Sequence, residues 1–179
     1  MARFRLHGRL NGRFVLSLAV FAGVVPLIFR DEVMGPVLLS LRVLTARATL
    51  TLIHWIGLEA VREASAIYHP GGFAYQISRG CMGLVPAALL GVAVLAYPGE
   101  LRRKLAALAV TLPLLFGLNF VRLVHLFYLG VNRPGLFHLA HTVLWQAAIV
   151  LGVFTAWLAC IAWLEARSST APLGLKPSA

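Results

Sequence analysis

Charged residues are scarce in this chain of 179 residues. Asp, Glu, Lys and Arg make up 12% of the sequence, hydrophobic residues make up 60%, and the mean hydropathy is +0.85. A soluble domain with so few polar residues would expose large apolar patches to water, so this class is excluded. Apolar runs of about 20 residues are typical of helices that cross a membrane. The sequence therefore predicts one integral membrane domain over residues 1–165.

Acidic residues are scarcer still. Six Asp and Glu stand against sixteen Lys and Arg, which gives a formal net charge of +10. In a soluble protein this excess would suggest nucleic acid as a partner. Here the basic residues flank apolar runs, and no stretch combines aromatic and basic side chains as base stacking requires. We therefore exclude nucleic acid and expect the basic residues to set the topology and to contact lipid headgroups of the bilayer.

Cysteine occurs only twice, at Cys81 and Cys160. The sequence contains no CxxC pair and no zinc-ligand spacing, so neither a metal nor an organic cofactor is expected. Cys160 lies deep in an apolar run and Cys81 at the edge of another. The topology derived below places the two thiols near opposite membrane faces, so we expect no disulfide between them.

Long apolar runs predict an all-α integral membrane protein with about four transmembrane helices, over residues 14–29, 82–98, 105–129 and 136–164. Residues 33–58 are also apolar, but polar side chains lie on two sides of the helix that they would form. We expect an interfacial or re-entrant helix there. Pro70-Gly71-Gly72 separates "AIYH" from "FAYQI" and predicts a short outer hairpin. The tail 166–179, rich in Ser, Pro and Ala, is expected to be disordered and cytoplasmic.

Two short basic segments, residues 1–13 and Arg102 to Lys104, indicate the orientation, because such segments stay in the cytoplasm. Four spans place both segments, and both termini, on the inner side. Residues 30–80 then lie outside or at the interface. The sequence thus predicts a multi-pass protein of the cytoplasmic (inner) membrane. The start of the second span, the end of the third and the start of the fourth meet at its outer boundary.

Cys81, Arg122 and His141 lie at this outer boundary. The third span leaves the inner face near Lys104, and Arg122 follows about 27 Å further along a helix that rises ~1.5 Å per residue. A nearby base or positive charge converts a thiol into a nucleophilic thiolate. Histidine can be that base, and arginine can bind a carboxylate or stabilise an oxyanion. These three side chains suit acyl transfer through a thioester, with an active site that faces the periplasm or the outside.

Other residues near these three are candidates for supporting roles. Arg79 can favour the thiolate, and the small residues Gly80 and Gly83 can let substrate backbone approach the sulfur. Asn119 precedes Arg122 by one helical turn and can orient it. His125 and His138 are the remaining candidates. Either could help to bind the substrate, or could act as the base in place of His141.

Two non-enzymatic interpretations stay open at this point. In the first, the chain is a non-catalytic membrane assembly subunit, in which Cys81 and Arg122 only pack and pair. Alternatively it is a small transporter or metal-binding membrane subunit, with His138 and His141 as ligands.

Three motifs resemble the exosortase/archaeosortase family, and within it most closely the exosortase H branch. They are "RGCMGL", "LNFVRLVHLFYLG" and "FHLAHTVLWQ", and the resemblance covers about residues 60–160. The family pattern is a Cys followed by a small residue and Gly, then Asn-x-x-Arg near the end of a later helix, then a His near the start of the next. Cys81, Arg122 and His141 match the family's proposed catalytic triad. Met82 departs from the pattern, which has a small residue there.

The resemblance implies a membrane cysteine protease or transpeptidase, a hydrolase that acts on exported proteins. Its substrates would end in a sorting signal made of a short motif, a transmembrane helix and a basic tail. The enzyme would cut near the motif on the outer side and pass the new C-terminus to an acceptor nucleophile, for which lipid- and glycan-linked groups are candidates. The outer segment 59–79 is further expected to pair with the extended motif as an added strand.

Overall fold

The computed structural model describes residues 19, 21–23, 26 and 31–168. The predicted first span, 14–29, lies largely outside these residues. The basic segment 1–13 and the tail after Ser168 lie wholly outside them. The described chain is helical apart from one small sheet, which confirms the prediction of an all-α membrane protein with a short hairpin.

Between residues 31 and 168, five α-helices carry the fold: α1 (Asp31–Trp55), α2 (Leu84–Ala96), α3 (Leu101–Asn132), α4 (Pro134–Leu139) and α5 (Trp145–Ser168). A 3-10 turn, Arg79–Cys81, precedes α2. A π-helical turn, Ala140–Leu144, joins α4 to α5.

Helices α2, α3 and α5 pack against one another around an apolar core, to which they contribute Leu90, Leu108, Leu115 and Cys160 among others. Cys160 is therefore a buried packing residue; its sulfur lies 3.7 Å from the Thr111 hydroxyl. The 32 residues of α3 extend about 48 Å, whereas the hydrocarbon core of a bilayer is about 30 Å thick. Helix α3 is thus longer than one perpendicular crossing requires.

The outward faces of the long helices are apolar. Large side chains there are more than half exposed, including Leu44, Val110, Leu114, Val150 and Phe154. Within the described residues, three helical stretches are long and apolar enough to cross a membrane: Met34–Trp55, Leu101–Asn132 and Pro134–Ala166. Such a surface suits lipid rather than water. The predicted spans 105–129 and 136–164 are confirmed as helices of spanning length, whereas 82–98 corresponds to the shorter apolar helix α2.

The segment for which we expected an interfacial or re-entrant helix is the unbroken helix α1. Its 25 residues extend about 37 Å, enough to cross a bilayer. The expectation rested on polar side chains on two sides of the helix, namely those of Arg42, Arg47 and His54 together with several hydroxyl groups. The hydroxyl groups do not require water. Those of Thr45, Thr49 and Thr51 each donate to the carbonyl four residues earlier, so the helix itself satisfies them.

A crossing by α1 would alter the topology. If residues 14–29 also cross, the basic segments 1–13 and 102–104 fall on opposite sides of the membrane. The positive charges then no longer agree on one orientation. The side that the site faces therefore becomes part of the functional proposal below.

The sheet has three antiparallel strands in the order β1 (Val61–Glu63), β2 (Ala66–Tyr68) and β3 (Ala74–Gln76). Strands β2 and β3 form the predicted hairpin, which is confirmed. Strand β1 was not predicted. Its two-residue turn to β2 contains Ala64 at φ 47, where hairpin turns usually have Gly, Asn or Asp, so the sequence carries no turn signal there.

This sheet packs on the C-terminal part of α3. The rings of Phe73 and Tyr75 lie 5.8 and 5.9 Å from the ring of Phe127, and the Tyr75 hydroxyl donates to the Leu123 carbonyl over 3.2 Å. A Cβ on Gly130 would meet the Phe73 ring at 2.0 Å, so glycine permits this close approach. The sheet thereby holds the end of β3, and the turn that follows it, against α3.

Candidate active site

Cys81 ends the 3-10 turn that follows β3. Its residue surface is 8% exposed. The Cys81 N–H donates to the Ser78 carbonyl over 3.0 Å, and Asn119 Nδ2 donates to the Cys81 carbonyl over 2.8 Å. The first bond closes the turn and the second ties it to α3. Together they fix the position of the cysteine relative to the polar residues of that helix.

Gly83 joins this turn to α2 with a left-handed backbone, at φ +73. A Cβ there would lie 3.2 Å from Asn119 Cγ, so the glycine serves both the turn and the approach of the Asn119 amide. Gly80 differs, because an added Cβ would meet only Ser78 Oγ at 3.9 Å. Of the two predicted glycines, Gly80 alone has room above its backbone for another chain.

Gly83→Ala is expected to destabilise the fold by about 1–3 kcal/mol and to lower activity, because it forces a side chain into a left-handed conformation and displaces Asn119. The measurement is the unfolding midpoint in detergent, with Gly80→Ala as the matched control. We expect the control to change the free energy of unfolding by less than about 0.5 kcal/mol. Equal effects of the two substitutions would contradict this role for Gly83.

Ser78 is a neighbour of the thiol that the sequence did not suggest. It occupies the N-cap position of the 3-10 turn, where serine commonly bonds a backbone N–H. Its side chain makes no such bond, and Oγ lies 3.3 Å from Cys81 Sγ instead. In the sequence, the only indication of this contact is that a serine stands three residues before the cysteine.

Tyr75 is the second neighbour that was missed. Burial, and after it the negative charge of a Cys81 thiolate, raise the pKa of the Tyr75 phenol above its ordinary value. The phenol therefore stays neutral and keeps the proton that it donates to the Leu123 carbonyl. The signal was the alternation of Phe73, Tyr75 and Ile77, which places all three side chains on one face of β3.

Asn119 and Arg122 lie one turn apart on α3 and are 2% and 5% exposed. Asn119 Oδ1 and Arg122 Nε are buried and have no hydrogen-bond partner among the described residues. Unsatisfied buried polar atoms are rare in folded proteins and call for an explanation, for which a role in catalysis is one candidate. The predicted pairing of these residues on one helix face is thus present, and both can still accept or donate a bond.

His141 lies in the π-helical turn between α4 and α5. Single π-helical turns are rare and frequently occur at functional sites. The His141 ring stacks on Phe137 with centroids 5.9 Å apart and an angle of 6° between the planes. The ring is also close enough to the Arg122 guanidinium and to His138 to interact with them electrostatically.

The other two histidines are placed differently. His125 Nδ1 accepts a hydrogen bond from Trp145 Nε1 over 2.9 Å, and the two rings pack edge to face at 5.7 Å. This bond commits one nitrogen of His125 to holding α5 against α3. His138 is exposed on α4, and its carbonyl accepts the Thr142 hydroxyl over 2.7 Å.

Two residues of "RGCMGL" remain. Arg79 begins the 3-10 turn and is half-buried. Met82 is 3% exposed and belongs to the apolar cluster that includes Leu123 and Phe127. Its size therefore fills the core beneath the sheet, which accounts for its departure from the family pattern.

In the part of the chain that the structure describes, no three His, Cys, Asp or Glu side chains gather as metal ligands would.

Fold and site together define a helical membrane protein in which a cysteine is tied through Asn119 to α3, one turn from a buried arginine whose charge acts on a histidine. A family model described as transmembrane exosortase (Exosortase_EpsH) matches residues 8–157, more than half of the chain. The chain therefore belongs to the transmembrane exosortase family, which confirms the family resemblance. The assignment to the exosortase H branch stays a prediction. No curated protein and no solved structure matches the chain.

Proposed function

We propose that this chain is a membrane cysteine transpeptidase that cleaves the C-terminal sorting signal of exported proteins and transfers them to an acceptor. Membership of the exosortase family supports a membrane sorting role in general. The observation that carries the specific proposal is the set of contacts around Cys81. Asn119 bonds its carbonyl, Arg122 follows one turn later with an unpartnered buried Nε, and the Arg122 charge acts on His141.

In the first half of the reaction, Cys81 Sγ gives its proton to His141 and attacks the scissile carbonyl carbon. A C–S bond forms, and the carbonyl oxygen becomes an oxyanion. Arg122 stabilises this oxyanion, since it is a fixed cation in a site from which water is largely excluded. The Ser78 hydroxyl, 3.3 Å from the sulfur, donates to the thiolate before attack.

The tetrahedral intermediate then collapses. The C–N bond breaks, the protonated His141 gives its proton to the leaving amine, and an acyl thioester remains on Cys81. An acceptor amine or hydroxyl attacks this thioester, His141 takes the acceptor's proton, and the thiol is regenerated. Water in the place of the acceptor gives hydrolysis. No oxidant or reductant is required.

The proposal places the enzyme in the cytoplasmic membrane with the site on the outer side. The basic loop at Arg102 and Arg103 lies at the opposite end of α2 and α3 from Cys81, and basic loops of this length stay in the cytoplasm. The exported substrate reaches the outer face first. Its transmembrane helix and basic tail hold it in the bilayer while the motif is cut.

The proposal is tested with a reporter fused to the C-terminal signal of an exported protein from the same genome, chosen because it ends in a short motif, an apolar helix and a basic tail. Co-expression with this chain is expected to shorten the reporter at the motif. Intact mass spectrometry is expected to find an added group on the new C-terminus. Reporters with several such signals that all remain full-length beside the inserted enzyme would contradict the proposal.

A further inference from the structure

One edge of the sheet is unpaired and leads directly to Cys81. Strand β3 pairs with β2 on one side only. The ladder includes bonds from the His69 N–H to the Phe73 carbonyl, 2.8 Å, and from the Ile77 N–H to the Ser65 carbonyl, 2.9 Å. In an antiparallel pair, alternate residues turn both backbone groups towards the partner strand. Residues 73, 75 and 77 of this strand therefore face β2.

Ala74 and Gln76 consequently turn their backbone N–H and C=O groups towards the free edge. Both residues are exposed, and neither makes a further backbone hydrogen bond within the described chain. The Gln76 side chain does not cover the edge, because its Nε2 reaches Ser65 Oγ on the β2 side, 3.5 Å away. An open edge of this kind is a template for another strand, and β3 carries none of the lysines or prolines that commonly block one.

The free edge of β3 is also the edge nearest the proposed chemistry. Only Ile77 and Ser78 separate β3 from the turn that contains Cys81. Phe73, just before β3, contacts Phe137 at 5.5 Å, and Phe137 stacks on His141. The other edge, at β1, lies two strands away, about 9–10 Å at the usual strand spacing.

We infer that the free edge of β3 binds the substrate segment next to the scissile bond as a fourth, extended strand. Main-chain bonds to Ala74 and Gln76 align the segment, and its continuation past Gln76 brings the scissile carbonyl to Cys81 Sγ. Binding of this type takes its affinity from backbone bonds and its specificity from alternate side chains, so a short motif can suffice. The inference rests on the proposed function, because it names the place and the conformation in which that substrate binds.

The first test removes the edge donors. Because the N–H groups of Ala74 and Gln76 face the edge and not β2, Ala74→Pro and Gln76→Pro each remove one edge donor without breaking the ladder. Each substitution is expected to lower the rate of reporter processing about 3- to 10-fold, as expected for one lost hydrogen bond. The matched control, Arg62→Pro, removes the outward N–H of β1 and is expected to stay within about 2-fold of the parent.

The second test detects binding without turnover. A photo-cross-linking residue is placed at position 74 or, as the control, at position 62, in the Cys81→Ala background. The probe is the same reporter with its C-terminal signal. We expect its motif to cross-link at position 74 and not at position 62.

The two tests separate the inference from the proposed function. Proline variants that process the reporter at the parental rate, or equal or absent cross-linking at the two positions, would overturn the inference. A reporter that the parent chain, with Cys81 present, leaves unprocessed but that cross-links at position 74 would support the edge as a binding site and count against the transpeptidase. Proline variants that fail to fold do not affect the cross-linking result, which then decides alone.

Discussion

Cys81→Ser is expected to abolish reporter processing, with a fall of at least about 10⁴-fold in rate. The substitution replaces one atom of similar size in a position that Ser78 and Asn119 already define, so the protein should still fold and insert. A hydroxyl in that place forms far less of the anion that attacks the carbonyl. The measurement is the single-turnover rate of reporter cleavage in membranes or detergent.

The chain supplies its own matched control in Cys160. This thiol is buried among α2, α3 and α5, near Thr111 and in a core separate from that of Cys81. Cys160→Ser is expected to keep processing within about 2-fold of the parent. If Cys81→Ser and Cys160→Ser both left processing intact, the assembly-subunit interpretation would be preferred, because there Cys81 only packs.

His141→Ala is expected to lower the rate of processing about 10²- to 10⁴-fold, the usual range for loss of a general acid–base group. The reason lies in the placement of the three histidines. His141 interacts with the Arg122 charge, His125 is bonded to Trp145, and His138 is exposed on α4.

His138→Ala and His125→Ala are the matched controls for the base. His138→Ala is expected to stay within about 3-fold of the parent, as an exposed substitution. His125→Ala is expected to cost about 1 kcal/mol of stability, because it removes the acceptor of the Trp145 indole, with a smaller effect on rate than His141→Ala. A larger loss from either control than from His141→Ala would reassign the base. Metal that co-purifies stoichiometrically and is lost on His141→Ala would favour the metal-binding interpretation instead.

Apolar periodicity and turn residues were sufficient to predict much of the fold. The third and fourth spans are continuous apolar runs, and Pro70-Gly71-Gly72 marks a turn by its composition alone. The prediction for the segment of α1 counted its hydroxyl groups as polar side chains that need water, because the sequence does not show where a hydroxyl bonds. Thr45 and Thr49 look polar on a helical wheel, but within the helix they bond to the backbone.

The candidate site was only partly predictable, for a different reason. Cys81, Asn119, Arg122 and His141 are chemically conspicuous in an apolar chain, so composition and depth suffice to select them. Ser78 and Tyr75 are ordinary residues of the segment before Cys81. Only the folded chain brings the Ser78 hydroxyl to the sulfur and the Tyr75 hydroxyl to the Leu123 carbonyl of α3. Met82 belongs to the motif but has a packing role. Only the folded structure reveals that its large side chain fills the apolar core.

The measurement that tests the central claim most directly is mass spectrometry of Cys81 during turnover of the reporter without added acceptor. The account predicts an acyl group, equal in mass to the reporter fragment upstream of the cut, on the peptide that contains Cys81. Hydroxylamine should remove it, and the Cys160 peptide should stay unmodified. Reporter that is cleaved while Cys81 remains unmodified throughout would contradict the thioester mechanism.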